Sequence, residues 1–79
     1  MTKKMTAEQK AFMHDLYEMV KSCGYIISWI NNGTGIWARR SRYEKFVVML
    51  ISNSFVYDDF EGGRIVLLQK PHDIFLRIV

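Results

Sequence analysis

The chain is 79 residues long, 49% hydrophobic and 14% aromatic, with a formal net charge of +3. That length allows a single domain, 1–79, and so much apolar surface on so short a chain implies a dense core or a patch that meets a partner. A lone cysteine, Cys23, excludes an internal disulfide and a thiolate zinc site and suits a reducing, cytoplasmic setting.

Residues 1–5 read as a loose basic tail, too polar for a signal peptide. Thr6-Ala7-Glu8-Gln9 then has the form of a capping box, in which the Thr6 hydroxyl accepts from the Gln9 N–H and Gln9 reaches back. Phe12, Met13, Leu16, Met19, Val20 and Cys23 follow as one helical stripe, and Gly24 stands where a glycine ends a helix. A helix is expected over 7–22.

Tyr25 to Ile30 is β-branched and aromatic, Asn31 to Gly35 is turn chemistry, and Ile36 to Arg40 reads as the returning strand. A five-residue loop over 31–35 uses both glycines and sets Trp29 opposite Trp37 and Ile30 opposite Ile36. A two-residue Asn32-Gly33 turn sets Trp29 opposite Ile36 instead. The longer loop is the preferred register.

Ser41-Arg42-Tyr43-Glu44 is a second capping box and predicts a helix over 41–52, with Asn53 at its end. The run from Phe46 to Ile51 is continuously apolar, so a buried strand reads the same way. A helix apolar all round needs cover on more than one side. The run is also too short to span a bilayer, so no membrane partner is expected.

Phe55 to Phe60, a turn at Gly62-Gly63 and Arg64 to Gln69 predict a second hairpin. Lys70-Pro71 breaks that strand, and Asp73 to Val79 alternates enough to be a last one. The expected fold is α+β, with two helices on one face of an antiparallel sheet in the order α-β-β-α-β-β-β.

The residues offer little to catalysis. Cys23 lies on the apolar stripe of the first helix, where a cysteine is core filler. His14 and His72 sit beside Asp15 and Asp73 in positions typical of solvated side chains. Asp58, Asp59 and Glu61 resemble a solvated hairpin end more than a hard-cation site. No phosphate loop, dinucleotide fingerprint, zincin helix or EF-hand is present, and Asn31 to Gly35 reads as a hairpin loop before an anion cradle. The expectation is a protein that is not an enzyme and uses no cofactor and no metal.

Charge is segregated: Arg39, Arg40, Arg42 and Lys45 cluster against a single Glu44, while Asp58, Asp59 and Glu61 gather later. In the preferred register Tyr25, Trp29, Trp37 and Arg39 share one face, while Ile26, Ile30 and Ile36 share the other. Isoleucines make the better core, which leaves the tryptophans partly exposed. Trp, Tyr and Arg dominate protein hot spots. The expected surface is therefore Tyr25, Trp29, Trp37, Arg39, Arg40, Arg42 and Lys45, engaging a protein or nucleoprotein complex. The small size suits an accessory factor or inhibitor of the kind carried by phages and mobile elements. The alternative is an RNA- or DNA-binding module in which the Arg39–Lys45 cluster grips phosphates and Trp29 and Trp37 stack on bases. A homo-oligomer is compatible with either.

Overall fold

The first helix, α1, spans Ala7–Ser22 and is set by its ends. Gln9 N–H donates to Thr6 Oγ1 at 3.1 Å and Thr6 N–H donates to Gln9 Oε1 at 2.9 Å, so both halves of the expected capping box form. Gly24 follows the cap at φ +87°, a backbone angle that costs a glycine nothing. Met13, Leu16 and Val20 are fully buried along one side. The structure is a computed structural model describing residues 5–61 and 65–78. Most of the expected tail, residues 1–4, and the Gly62-Gly63 turn lie outside the described residues. Met5, at the end of that tail, packs against the core.

The strands are β1 (Ile26–Ile30), β2 (Gly35–Arg39), β3 (Lys45–Ile51), β4 (Ser54–Asp58) and β5 (Ile65–Leu68). They form one antiparallel meander, β1-β2-β3-β4-β5, with β3 at its centre. A 3₁₀ turn, Pro71–Ile74, leads into a one-turn helix, α2, at Phe75–Ile78. The fold is α+β, with both helices on one face of the sheet, as expected. Two elements have exchanged places: the fourth is a strand and the last a helix, giving α-β-β-β-β-β-α.

Each exchange has a local cause. Ser41 Oγ does accept from the N–H groups of Tyr43 and Glu44, at 3.3 and 3.2 Å, as a helix cap would. Glu44 pairs with Arg40 rather than accepting from the Ser41 backbone N–H, so the box is half made. The chain beyond it is aromatic and β-branched and finds strand partners on both sides, so the helix expected over 41–52 is instead a tight turn and β3. Asn53, read as the end of that helix, instead lies in a hairpin turn. Ser52 and Asn53, at φ 50° and 66°, form the two-residue turn from β3 to β4. At the C-terminal end, Asp73 Oδ2 accepts from Gln69 N–H at 3.1 Å and Lys70 N–H at 3.0 Å, with Pro71 fitting the first turn. Ile74 and Ile78, four residues apart, both enter the core, so the strand expected over 73–79 is a 3₁₀ turn and helix as far as Ile78. Val79 lies outside the described residues.

The register of the first hairpin differs from the preferred one by a single residue. The loop is Asn31–Gly33 with Thr34, and Trp29 pairs with Ile36 while Ser28 pairs with Trp37. Asn31, Asn32 and Gly33 all have positive φ, and Thr34 N–H and Oγ1 both donate to the Asn31 carbonyl. The turn thus closes before Gly35, which is needed as a strand residue. A Cβ there would meet the Val48 carbonyl oxygen at 2.9 Å.

Registers across the sheet assign two faces. Toward the helices point Ile36 and Ala38, Phe46 and Val48, Phe55 and Tyr57, and Leu68. With Met13, Leu16, Val20, Tyr25, Ile74 and Ile78 they make the core. The Phe12 and Phe55 rings stack with centroids 3.9 Å apart, joining α1 to β4.

Candidate functional site

The one-residue shift in register divides the expected aromatic face. Tyr25 is buried in the core, its ring edge against Phe46 at 5.3 Å. Trp29 lies on the helix face of the edge strand, 48% exposed, and stacks on Tyr17 of α1 at 5.0 Å with the rings parallel. Trp37 points the other way and is half-buried on the face without helices. Ile36 is core, as expected of an isoleucine, but Ile26 on the outer face is 67% exposed.

Arg40 is committed to holding the fold. Its Nε donates to Glu44 Oε2 at 3.0 Å, its Nη2 pairs with the same oxygen, and its Nη1 donates to the Cys23 carbonyl at 2.9 Å. Its guanidinium carbon lies 4.7 Å from the Tyr25 ring centroid. This contact set ties the end of α1 to the β2–β3 turn. Hydrogen bonding to Arg40, then to Ser41, lowers the Glu44 pKa, and the same bond to Glu44 raises that of Arg40. Burial raises the pKa of Tyr25, partly offset by the Arg40 charge.

The remaining basic residues do converge. Arg39, Arg42 and Lys45 surround a shallow depression of about 430 Å³ with Trp37 and Ile26, and Arg40 and Ser41 complete its wall. Arg39 and Lys45 are directly paired across β2 and β3 on the outer face. No acidic side chain lines the depression among the described residues. The site is therefore a Trp-floored basic corner where β2 ends and β3 begins.

The acidic residues are engaged differently. Asp58 Oδ1 accepts from Phe60 N–H at 2.8 Å, and Asp59 Oδ1 accepts from Glu61 N–H at 2.9 Å, so each carboxylate shapes its own turn. Among the described residues no three His, Cys, Asp or Glu side chains gather as a cation would require. His14 Nδ1 stands 3.9 Å from Asp15 Oδ1 on the exposed side of α1. Cys23 is a free, half-buried cap residue packed against the core. Among the described residues no helix is long and apolar enough to cross a membrane.

The sequence reading missed the largest feature of the surface. Beyond the basic corner, the outer face of the sheet is mainly apolar, with Ser28, Ser54 and Asp58 as its polar positions. Ile30 and Trp37 lead to Val47 and Met49 at its centre, then to Val56 and on to Ile65 and Leu67. Val47 and Val56, on this face, are buried but stand apart from the cluster under the helices. Ile65 is 66% and Leu67 55% exposed. A signal for this face was present in Phe46 to Ile51. A strand apolar at every position has two faces to cover, and the helices cover one. No known protein family, curated protein or solved structure matches the chain.

Proposed function

We propose that this chain is a non-catalytic binding protein whose working surface is the outer sheet face, with Val47 and Met49 at its centre and Trp37, Arg39, Arg42 and Lys45 forming its basic corner. A cytoplasmic accessory factor or inhibitor acting on a protein or nucleoprotein partner fits that surface. The observation that carries the reading is the uncovered apolar face of β1 to β5, bordered by a basic corner. An apolar centre with an arginine-rich border is the anatomy of a protein interface. Contiguous exposed apolar area of this kind is rare on proteins that act alone.

The two tryptophans supply the test. In affinity capture from the native host, Trp37→Ala abolishes recovery of the partner, while Trp29→Ala, altered on the helix side, retains it. Circular dichroism checks that both variants fold. Recovery unchanged by Trp37→Ala would overturn the reading.

A second reading rests on the depression itself. Three cations around an indole, with no acid among the described lining residues, suit a phosphate beside a stacked base. Trp29→Phe leaves Trp37 as the sole indole reporter. If nucleic acid binds, oligonucleotides quench that fluorescence saturably, and the effect fades with salt. No quenching at low salt rejects it.

A further inference from the structure

We infer that the outer sheet face is self-complementary and that its occupant is a second copy of this chain, packed face to face about a two-fold axis parallel to β3. The inference rests on the reading of that face as an interface and adds the identity of the partner.

Three observations lead there. The first is symmetry. β3 is the middle strand of five, and its outer side chains Val47 and Met49 are apolar, so an axis along it superposes one apolar strip on another. The second is the placement of charge. At one end of the sheet, Arg39 lies one strand to one side of β3, while Asp58 lies one strand to the other on the same outer face; Asp59 and Glu61 turn to the helix side, beside Arg77 and Ile78. A two-fold axis parallel to the strands keeps this end in place and exchanges left for right. Each Arg39 then lies toward the partner's Asp58, while the two Lys45 side chains meet near the axis at the exposed rim. A two-fold axis across the strands carries the basic corner to the opposite end and loses that match. The third is the outer edges. Ile26 begins β1 and Ile65 begins β5, both exposed at that same end. The same axis sets Ile26 of one copy over Ile65 of the other.

The result is a sandwich of two sheets with a helix layer outside each, and stacked sheets of this kind lie about 10 Å apart. Five strands at about 4.8 Å spacing, each of about five residues rising about 3.3 Å, make a face on the order of 400 Å² in projection. That projection is about half the roughly 800 Å² per partner of a standard interface, so the dimer is a weak, reversible one.

The test is sedimentation of the whole chain from about 1 μM to 1 mM, a span over which a weak dimer forms and dissociates. The expected mass rises from the 9.3 kDa of one chain to twice that. Leu67→Lys, at a solvent-tolerant position, weakens the dimer at least tenfold with an unchanged circular dichroism spectrum. With Cys23→Ser as background, a mixture of Ile26→Cys and Ile65→Cys chains is joined by a short bis-maleimide, and neither chain joins to itself. A monomer at all concentrations overturns the inference and leaves the face open to a different protein, which the Trp37→Ala capture still tests separately. A dimer indifferent to Leu67→Lys uses another surface and overturns it too. Ile26→Cys joined to itself rejects the proposed axis.

Discussion

Arg40 shows how a residue's neighbours decide its role. In the sequence it belongs to a basic cluster; in the fold it spends its donors on Glu44 and the Cys23 carbonyl. Glu44 is held below the ordinary carboxylate value of about 4.3, mainly by that hydrogen bond. The depressed value makes its contribution to stability complete above the unfolded value and lost as pH falls through the folded one. Glu44→Gln is therefore expected to lower stability at neutral pH and to make the acid side of the stability curve shallower. Chemical denaturation across that range measures it. Tyr57 has the opposite sense at alkaline pH. Burial, then the nearby Asp59 charge, pushes its pKa up to about 12. The folded protein keeps that proton longer than the unfolded chain, so stability falls as pH rises from the ordinary tyrosine value toward 12. Tyr57→Phe removes that alkaline loss, read as a flatter melting temperature against pH. The burial of Tyr57 was not legible in the sequence, because it depends on groups brought close by the chain's return. Arg40 and Glu44 are only four residues apart, and only their choice of each other was left open.

At the scale of the element, turns and close approaches set the register. Gly35 sits where a Cβ would meet Val48 O at 2.9 Å and Met49 Cγ at 3.1 Å. Gly35→Ala is expected to cost about 1–3 kcal/mol in denaturant unfolding, the usual penalty of overpacking. Ser52 holds φ 50° in the β3–β4 turn, a conformation unfavourable to an L residue. Ser52→Gly is expected to raise stability by up to about 1 kcal/mol by relieving it. The first helix was legible down to its capping box, since its cap, stripe and terminal glycine all agree. The second was not, because a Ser-x-x-Glu turn and an asparagine end serve a hairpin as well as a helix. The last element was misread because alternation in Asp73 to Val79 outweighed Pro71 and the Ile74–Ile78 spacing. The one-residue register shift sent Trp37 to the outer face and kept Trp29 inward, since a strand's side chains alternate.

For the whole molecule, the two faces of the sheet respond differently to the same kind of change. Leu67 is exposed on the outer face, and Ile74 is fully buried under the helices. Leu67→Lys is expected to leave the monomer's stability within about 0.5 kcal/mol, as surface changes usually do, and to shorten retention on a hydrophobic column. Ile74→Lys places a charge without a partner in the core and unfolds the protein. Thermal melts of the two variants, at a concentration below association, make the comparison. Equal destabilisation would mean that both faces are covered within one chain.

The sequence by itself determined the class of fold, the first helix and the existence of a basic cluster. These follow from local capping, periodicity and composition, which act over a few residues. Tertiary structure alone decided that Phe46 to Ile51 is the central strand, because partners on both sides settle what an apolar run leaves open. It also decided that Arg40 serves the fold while Trp37, Arg39, Arg42 and Lys45 share a surface. Pairing register sorts side chains between faces, and register depends on where each turn closes.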